Sequence, residues 1–90
     1  MPGEYSVYVL WSPTGRRFYV GVTGDVVKRL DEHNAGVSKW TSRYAGTWVV
    51  VCKKAFPGLG AARRYENLLK RQKGGQGFFL HTGLDPEDYR

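Results

Sequence analysis

The run Tyr5-Ser6-Val7-Tyr8-Val9-Leu10-Trp11 is dense in β-branched and aromatic residues and predicts a strand. Ser12-Pro13-Thr14-Gly15 is a turn signal, and Phe18-Tyr19-Val20-Gly21-Val22-Thr23 predicts a second strand. Together they form a β-hairpin with a loop longer than the tightest turns. Alternation places Tyr19, Gly21 and Thr23 on one face of the second strand, and Phe18, Val20 and Val22 on the other. A helix follows, capped by Thr23 or Asp25 and striped by Val26, Val27 and Leu30. It closes near Asn34-Ala35-Gly36, where glycine accepts the left-handed conformation.

Val37 to Gly46 reads as a loop carrying Lys39, Trp40, Arg43 and Tyr44. Thr47-Trp48-Val49-Val50-Val51-Cys52 is nearly all apolar and predicts a third strand covered on both faces. After a break at Phe56 to Gly60, a second helix is expected from Ala61 to about Lys73, with Ala61, Tyr65, Leu68 and Leu69 toward the core. Gly74-Gly75-Gln76-Gly77 ends it, and Phe78-Phe79-Leu80 is a short apolar piece that packs back. The order β-β-α-β-α defines an α+β fold with a small sheet.

Ninety residues allow one domain, with a core expected over about 5–73. Aromatic residues at 14 % exclude a disordered chain. No stretch approaches the ~20 apolar residues of a membrane span. The start Met1-Pro2-Gly3-Glu4 lacks the pattern of a signal peptide. The single Cys52 excludes a disulfide framework and fits a reducing cytoplasm. The acidic tail, residues 85–90 with Asp85, Glu87 and Asp88, reads as a solvated end.

Charge adds a functional hint. Fourteen Lys and Arg oppose eight Asp and Glu, for a formal net charge of +6. Between Glu32 and Asp85 the only carboxylate is Glu66, in a stretch rich in Lys and Arg. Such a surface suits a polyanion, most often nucleic acid. Arg29 and His33 stand four residues apart, hence on one helical face, and Arg63 and Lys70 share the Glu66 side of the second helix. A single carboxylate is a normal protein contribution to a Mg²⁺ site completed by water and phosphate. Each residue also has an ordinary reading. Tyr8 and Tyr19 are common strand residues, Arg29 can pair with Asp25, and Glu66 can pair with Lys70. His33 can cap its helix end. Trp40 and Tyr44 either stack on bases or anchor their loop, the anchor being favoured, while Trp11 and Trp48 are core. His33, Cys52 and His81 lack a zinc spacing.

Val7-Tyr8 followed by Tyr19-Val20-Gly21 resembles the two-part signature of the GIY-YIG nuclease superfamily. Its arginine matches Arg29, about ten residues further on, and its metal-binding glutamate matches Glu66. The fit is to the small stand-alone bacterial members, which share the strand end Tyr19-Val20-Gly21-Val22-Thr23, the helix end Arg29 to His33-Asn34, and an Arg63 to Glu66 to Lys70 pattern. Ser6 stands in place of the first glycine of the name, and Thr23 stands where many relatives carry lysine. The resemblance implies a three-stranded antiparallel sheet flanked by helices and a metal-dependent endonuclease acting on DNA, in repair or processing and with structure selectivity. It implies one of Tyr8 and Tyr19 as general base, Tyr8 being favoured with Tyr19 as its partner near the metal or water, Arg29 on the phosphate and His33 as auxiliary acid/base or phosphate donor. Glu66 would hold one Mg²⁺ or Mn²⁺, and Thr23, Lys39, Arg43, Arg63 and Lys70 would bind nucleic acid, DNA ahead of RNA. A protein partner or a homodimer would supply specificity. The alternative is a nucleic-acid-binding module that keeps the fold with little catalysis.

Overall fold

The computed structural model describes residues 4–73 and 75–89; residues 1–3, Gly74 of the expected helix-ending segment and Arg90 of the tail lie outside them. Three strands, β1 (Tyr5–Ser12), β2 (Arg17–Thr23) and β3 (Val49–Phe56), form an antiparallel sheet in the order β2-β1-β3. Helices α1 (Val26–Asn34), α2 (Leu59–Gln72) and α3 (Gln76–Thr82) flank it. Short 3₁₀ turns occupy Ser42–Tyr44 and Pro86–Tyr89. The α+β class and the three-stranded antiparallel sheet are as expected.

The central strand β1 divides the hydrophobic interior. Val7 and Val9 join Val20, Ala62, Leu69 and Phe78 in one cluster. Tyr8 and Leu10 join Trp48 in a second, with Tyr19, Val26 and Leu30 against it. Successive side chains of a strand point to opposite faces, so Tyr8 and its neighbours Val7 and Val9 serve different cores. β2 alternates as expected, with Phe18 and Val22 against the first cluster and Tyr19 against the second.

Asp25 caps α1: its side chain accepts a hydrogen bond from the Lys28 amide at 3.1 Å. Thr23 supports the cap by accepting from the Asp25 amide at 3.1 Å. Gly36 closes the helix at φ 81°. Trp11 and Trp48 are core residues.

Four expectations change. The third strand is not covered on both faces: β3 is an edge strand, with Val49 exposed and Val50, Val51 and Cys52 half-buried. It runs on through Lys53 and Lys54, whose charges suit an exposed edge. On α2, Leu69 is buried and Tyr65 packs against the first cluster as expected, but the fully buried stripe is Ala62, Glu66 and Leu69, and Ala61 and Leu68 are only half-buried. Phe78-Phe79-Leu80 packs back as expected, with Phe78 fully buried, but it does so as part of a helix, α3, and Leu80 is exposed. The tail is not simply a solvated end, because the Tyr89 ring lies 5.1 Å from both Trp11 and Phe18. The packed core therefore extends past residue 73.

Candidate active site and basic cleft

The site begins at Tyr8 and the glycine across from it. Tyr8 pairs with Gly21 in the β1–β2 register. A Cβ on Gly21 would stand 2.5 Å from Tyr8 Oη and 2.7 Å from Cζ. Glycine is needed here because the Tyr8 ring lies flat across its Cα, not because the backbone needs an unusual conformation.

Held in this slot, buried Tyr8 Oη lies 2.8 Å from His33 Nε2. The other ring nitrogen of His33, Nδ1, lies 2.6 Å from Thr41 Oγ1. All three side chains are buried. A neutral imidazole has one donor and one acceptor, so the two hydrogen bonds form a directional chain. Burial, and then the charge of Arg29, pushes His33 down to about 4, which keeps it neutral at pH 7. Both ring nitrogens are occupied by these hydrogen bonds, which leaves neither free to donate to a phosphate.

Burial, followed by the Tyr19 hydroxyl, pushes the Tyr8 phenol up to about 12, and Arg29 opposes this by hydrogen bonding and charge. Glu66 adds a smaller upward push. The Tyr8 proton thus senses Tyr19, Arg29 and Glu66, while its hydroxyl bonds His33. Of the five residues singled out, on β1, β2, α1 and α2, the other four all act on the Tyr8 phenol. The Tyr19 ring lies 4.8 Å from His33 and 6.3 Å from Tyr8.

Arg29 is partly exposed and pairs with Glu32 at 2.8 Å rather than with Asp25, whose carboxylate is used as the α1 cap. Glu32 is the first cause that holds its guanidinium above the ordinary value. Glu66 is 8 % exposed and pairs with Lys70 at 3.0 Å. Among the described residues no group of three His, Cys, Asp or Glu side chains could hold a metal. Glu66 alone therefore fits a hard, oxygen-preferring ion such as Mg²⁺ that keeps most of its ligands as water and phosphate, and does not fit a closed zinc site.

A cleft of about 740 Å³ opens beside Tyr19. Arg16, Arg17, Arg43, Lys70 and Lys73 line it with aromatic residues between them. Desolvation, then the charges of Lys70 and Arg17, push the Lys73 ammonium below the ordinary lysine value. That is the signature of a crowded positive site. Of the expected nucleic-acid-binding residues, Arg43 and Lys70 line the cleft. Lys39 is exposed beside Trp40, Arg63 is exposed on α2 and is not among the lining residues, and Thr23 is engaged in the α1 cap. Sequence reasoning missed Arg16 and Arg17, although the pair stands in plain view at the end of the hairpin loop and the start of β2, and it missed Thr41 and Lys73. The anchor role holds for Tyr44, whose ring packs on Trp48 at 6.4 Å, and fails for Trp40, which is 80 % exposed.

A small α+β domain with a tyrosine-centred site and a single buried carboxylate beside a cationic cleft has the form of a phosphodiesterase catalytic domain. Residues 4–78 match the family model of the GIY-YIG catalytic domain, and the chain belongs to the GIY-YIG nuclease family. It is 35 % identical to the Structure-specific endonuclease subunit SLX1 of Meyerozyma guilliermondii, over 80 % of this chain and 26 % of that protein. It is 33 % identical to a UPF0213 protein of Aeromonas salmonicida, over 78 % of this chain and 51 % of that protein. The rat SLX1 subunit is 37 % identical over 72 % of this chain and 27 % of its own length. The chain thus spans about a quarter of the SLX1 subunits and about half of the bacterial relative. Among the described residues no helix is long and apolar enough to cross a membrane.

Proposed function

We propose that this domain is a divalent-metal-dependent endonuclease that hydrolyses phosphodiester bonds in DNA, with Tyr8 as general base. The observation that carries the reading is the Tyr8–His33–Thr41 hydrogen-bond chain, set where Arg29, Tyr19 and Glu66 all act on the Tyr8 proton. A bare Tyr8 phenolate is a costly base: with the phenol at about 12, forming it at pH 7 takes roughly 7 kcal/mol. In the relay, Tyr8 Oη takes a proton from the attacking water as its own proton moves to His33 Nε2. His33, held at about 4, is a weak acceptor, so the transfer is uphill and depends on bound substrate raising the affinity of His33 for a proton.

In this tautomer Nδ1–H donates to Thr41 Oγ1 and holds the ring ready to accept. Arg29 binds a non-bridging phosphate oxygen and offsets charge that builds in the transition state. That phosphate also weakens the Arg29 field that depresses His33. Tyr19, at the boundary of site and cleft, orients the water and phosphate. Glu66 would hold one Mg²⁺ or Mn²⁺, which would supply Lewis-acid stabilisation of charge on the phosphate and the leaving oxygen. Lys70 keeps the Glu66 carboxylate oriented. The cations of the cleft favour a nucleic-acid substrate. The SLX1 relatives, named structure-specific endonuclease subunits, support structure selectivity and a protein partner that supplies specificity; DNA repair or processing is the role proposed with that reading.

A second reading has one observation behind it. Lys70 already satisfies Glu66, as a binding-only module would require. That module would bind nucleic acid in a salt-sensitive manner with no metal requirement. Cleavage of labelled linear, single-stranded, flapped and branched DNA and RNA, in Mg²⁺, Mn²⁺ or EDTA, separates the two. The expected result is metal-dependent cutting of DNA that disappears in Glu66→Gln. Salt-sensitive binding without cutting under any metal supports the module instead.

A further inference from the structure

Trp40 is the most exposed large apolar residue of the described chain, at 80 %, on a protein whose other two tryptophans are buried. A lone exposed apolar side chain is ordinary, but the place of this one is not. It lines the cleft, and every lining residue there is either cationic or aromatic. Phe18, Tyr19, Tyr44 and Trp48 are the other rings, and no carboxylate intervenes. Lys39 Nζ stands 5.9 Å from the Trp40 ring centroid, and Arg43 lies over Tyr44 at 5.6 Å. Flat apolar faces alternating with cations suit bases joined by phosphates.

The segment that carries Trp40 is fixed on its C-terminal side. Thr41 Oγ1 bonds His33 Nδ1, its carbonyl accepts from Trp48 Nε1 at 2.9 Å, and its amide donates to the Ser38 carbonyl at 3.3 Å. The backbone beneath the indole is therefore ordered before any ligand arrives, which lowers the entropy lost on binding. Thr41 also holds the end of the Tyr8–His33 chain, so indole and general base share one support.

We infer that Trp40 is a stacking platform for an unpaired base of single-stranded DNA lying in the cleft, next to the phosphate presented to Tyr8. A paired base keeps its faces against its neighbours in the stack, whereas an unpaired one has a face to offer. The cleft therefore selects DNA with single-stranded character. The inference deepens the nuclease reading by naming the form of the substrate, and it is tested without catalysis.

The test is binding in EDTA, where no cutting occurs, with a short oligo-dT strand and a blunt duplex of equal length as probes. Trp40→Ala is expected to weaken oligo-dT binding by about tenfold or more while duplex binding changes by less than about twofold. Trp40→Phe, which keeps a ring, is expected to retain most of the single-strand affinity. Tryptophan fluorescence of the unaltered protein is expected to change on adding oligo-dT, and most of that change is expected to be lost in Trp40→Phe, because Trp11 does not line the cleft and Trp48 does so while only 4 % exposed. Thermal melting confirms that each variant is folded. Equal weakening on both probes, or unaltered oligo-dT binding by Trp40→Ala, would overturn the inference. Either result leaves the nuclease reading to its own cleavage assay.

Discussion

At the scale of single residues, the account turns on how closely Tyr8 is held. Gly21→Ala places a methyl against the Tyr8 hydroxyl, and Tyr8 is buried with no room to withdraw. Displacing a reacting group by about 1 Å costs on the order of a hundredfold in rate. Gly21→Ala is therefore expected to cut about a hundredfold slower while binding DNA nearly as well, read from single-turnover rates. His33 gives a second expectation. Unfolded histidine takes its proton near 6.5, whereas folded His33 does so at about 4. Between those values the unfolded chain binds more protons. The stability linked to His33 is therefore full above pH 6.5 and falls as pH drops toward 4, by roughly 3 kcal/mol. Melting temperatures measured across that window are expected to fall less steeply in His33→Gln. Tyr8, Tyr19, Arg29, His33 and Glu66 were legible because their spacing forms a recognisable set. Thr41 was not, because a threonine in a loop carries no signal until folding brings it under His33. The reason for Gly21 was hidden likewise, since only the cross-strand register places Tyr8 over it.

At the scale of elements, local chemistry made the hairpin and the first helix readable. Asp25, the apolar stripe and Gly36 act within a few residues of one another, and the structure uses them as expected. Asp25→Ala is expected to cost about 1 kcal/mol of stability in denaturant unfolding. β3 was misjudged because an unbroken apolar run looks alike in a buried strand and in an edge strand with one covered flank. Its lysines were the sign of an edge. α3 was only half legible, since three apolar residues after a glycine-rich stretch do not announce a helix. Its stability comes from tertiary packing: Phe78 is fully buried and its ring lies 4.9 Å from Phe18. Phe78→Ala is expected to cost about 3–5 kcal/mol, although Phe78 lies outside the expected core.

At the scale of the whole molecule, positive charge is gathered in the cleft beside Tyr19 and the proposed site. The composition announced an excess of cations, but their meeting in one cleft depends on the fold. Arg16 and Arg17 come from the hairpin, Arg43 from the loop after α1, and Lys70 and Lys73 from the end of α2. Duplex binding is expected to weaken with salt by a slope of roughly −0.9 per phosphate neutralised. Combining Arg17→Ala with Lys73→Ala is expected to reduce that slope by about two, measured by titration at several salt concentrations.

The account stands most directly on Tyr8. The decisive measurement is the single-turnover rate of DNA cleavage in Mg²⁺ by the unaltered protein and by Tyr8→Phe, with binding affinity measured alongside. Phenylalanine keeps the ring in its slot and removes the hydroxyl that faces His33. The expected result is metal-dependent cutting by the unaltered protein, and in Tyr8→Phe a loss of at least about a hundredfold with affinity little changed. Cutting by Tyr8→Phe at the unaltered rate would contradict the assignment of Tyr8 as the base and the relay built on it.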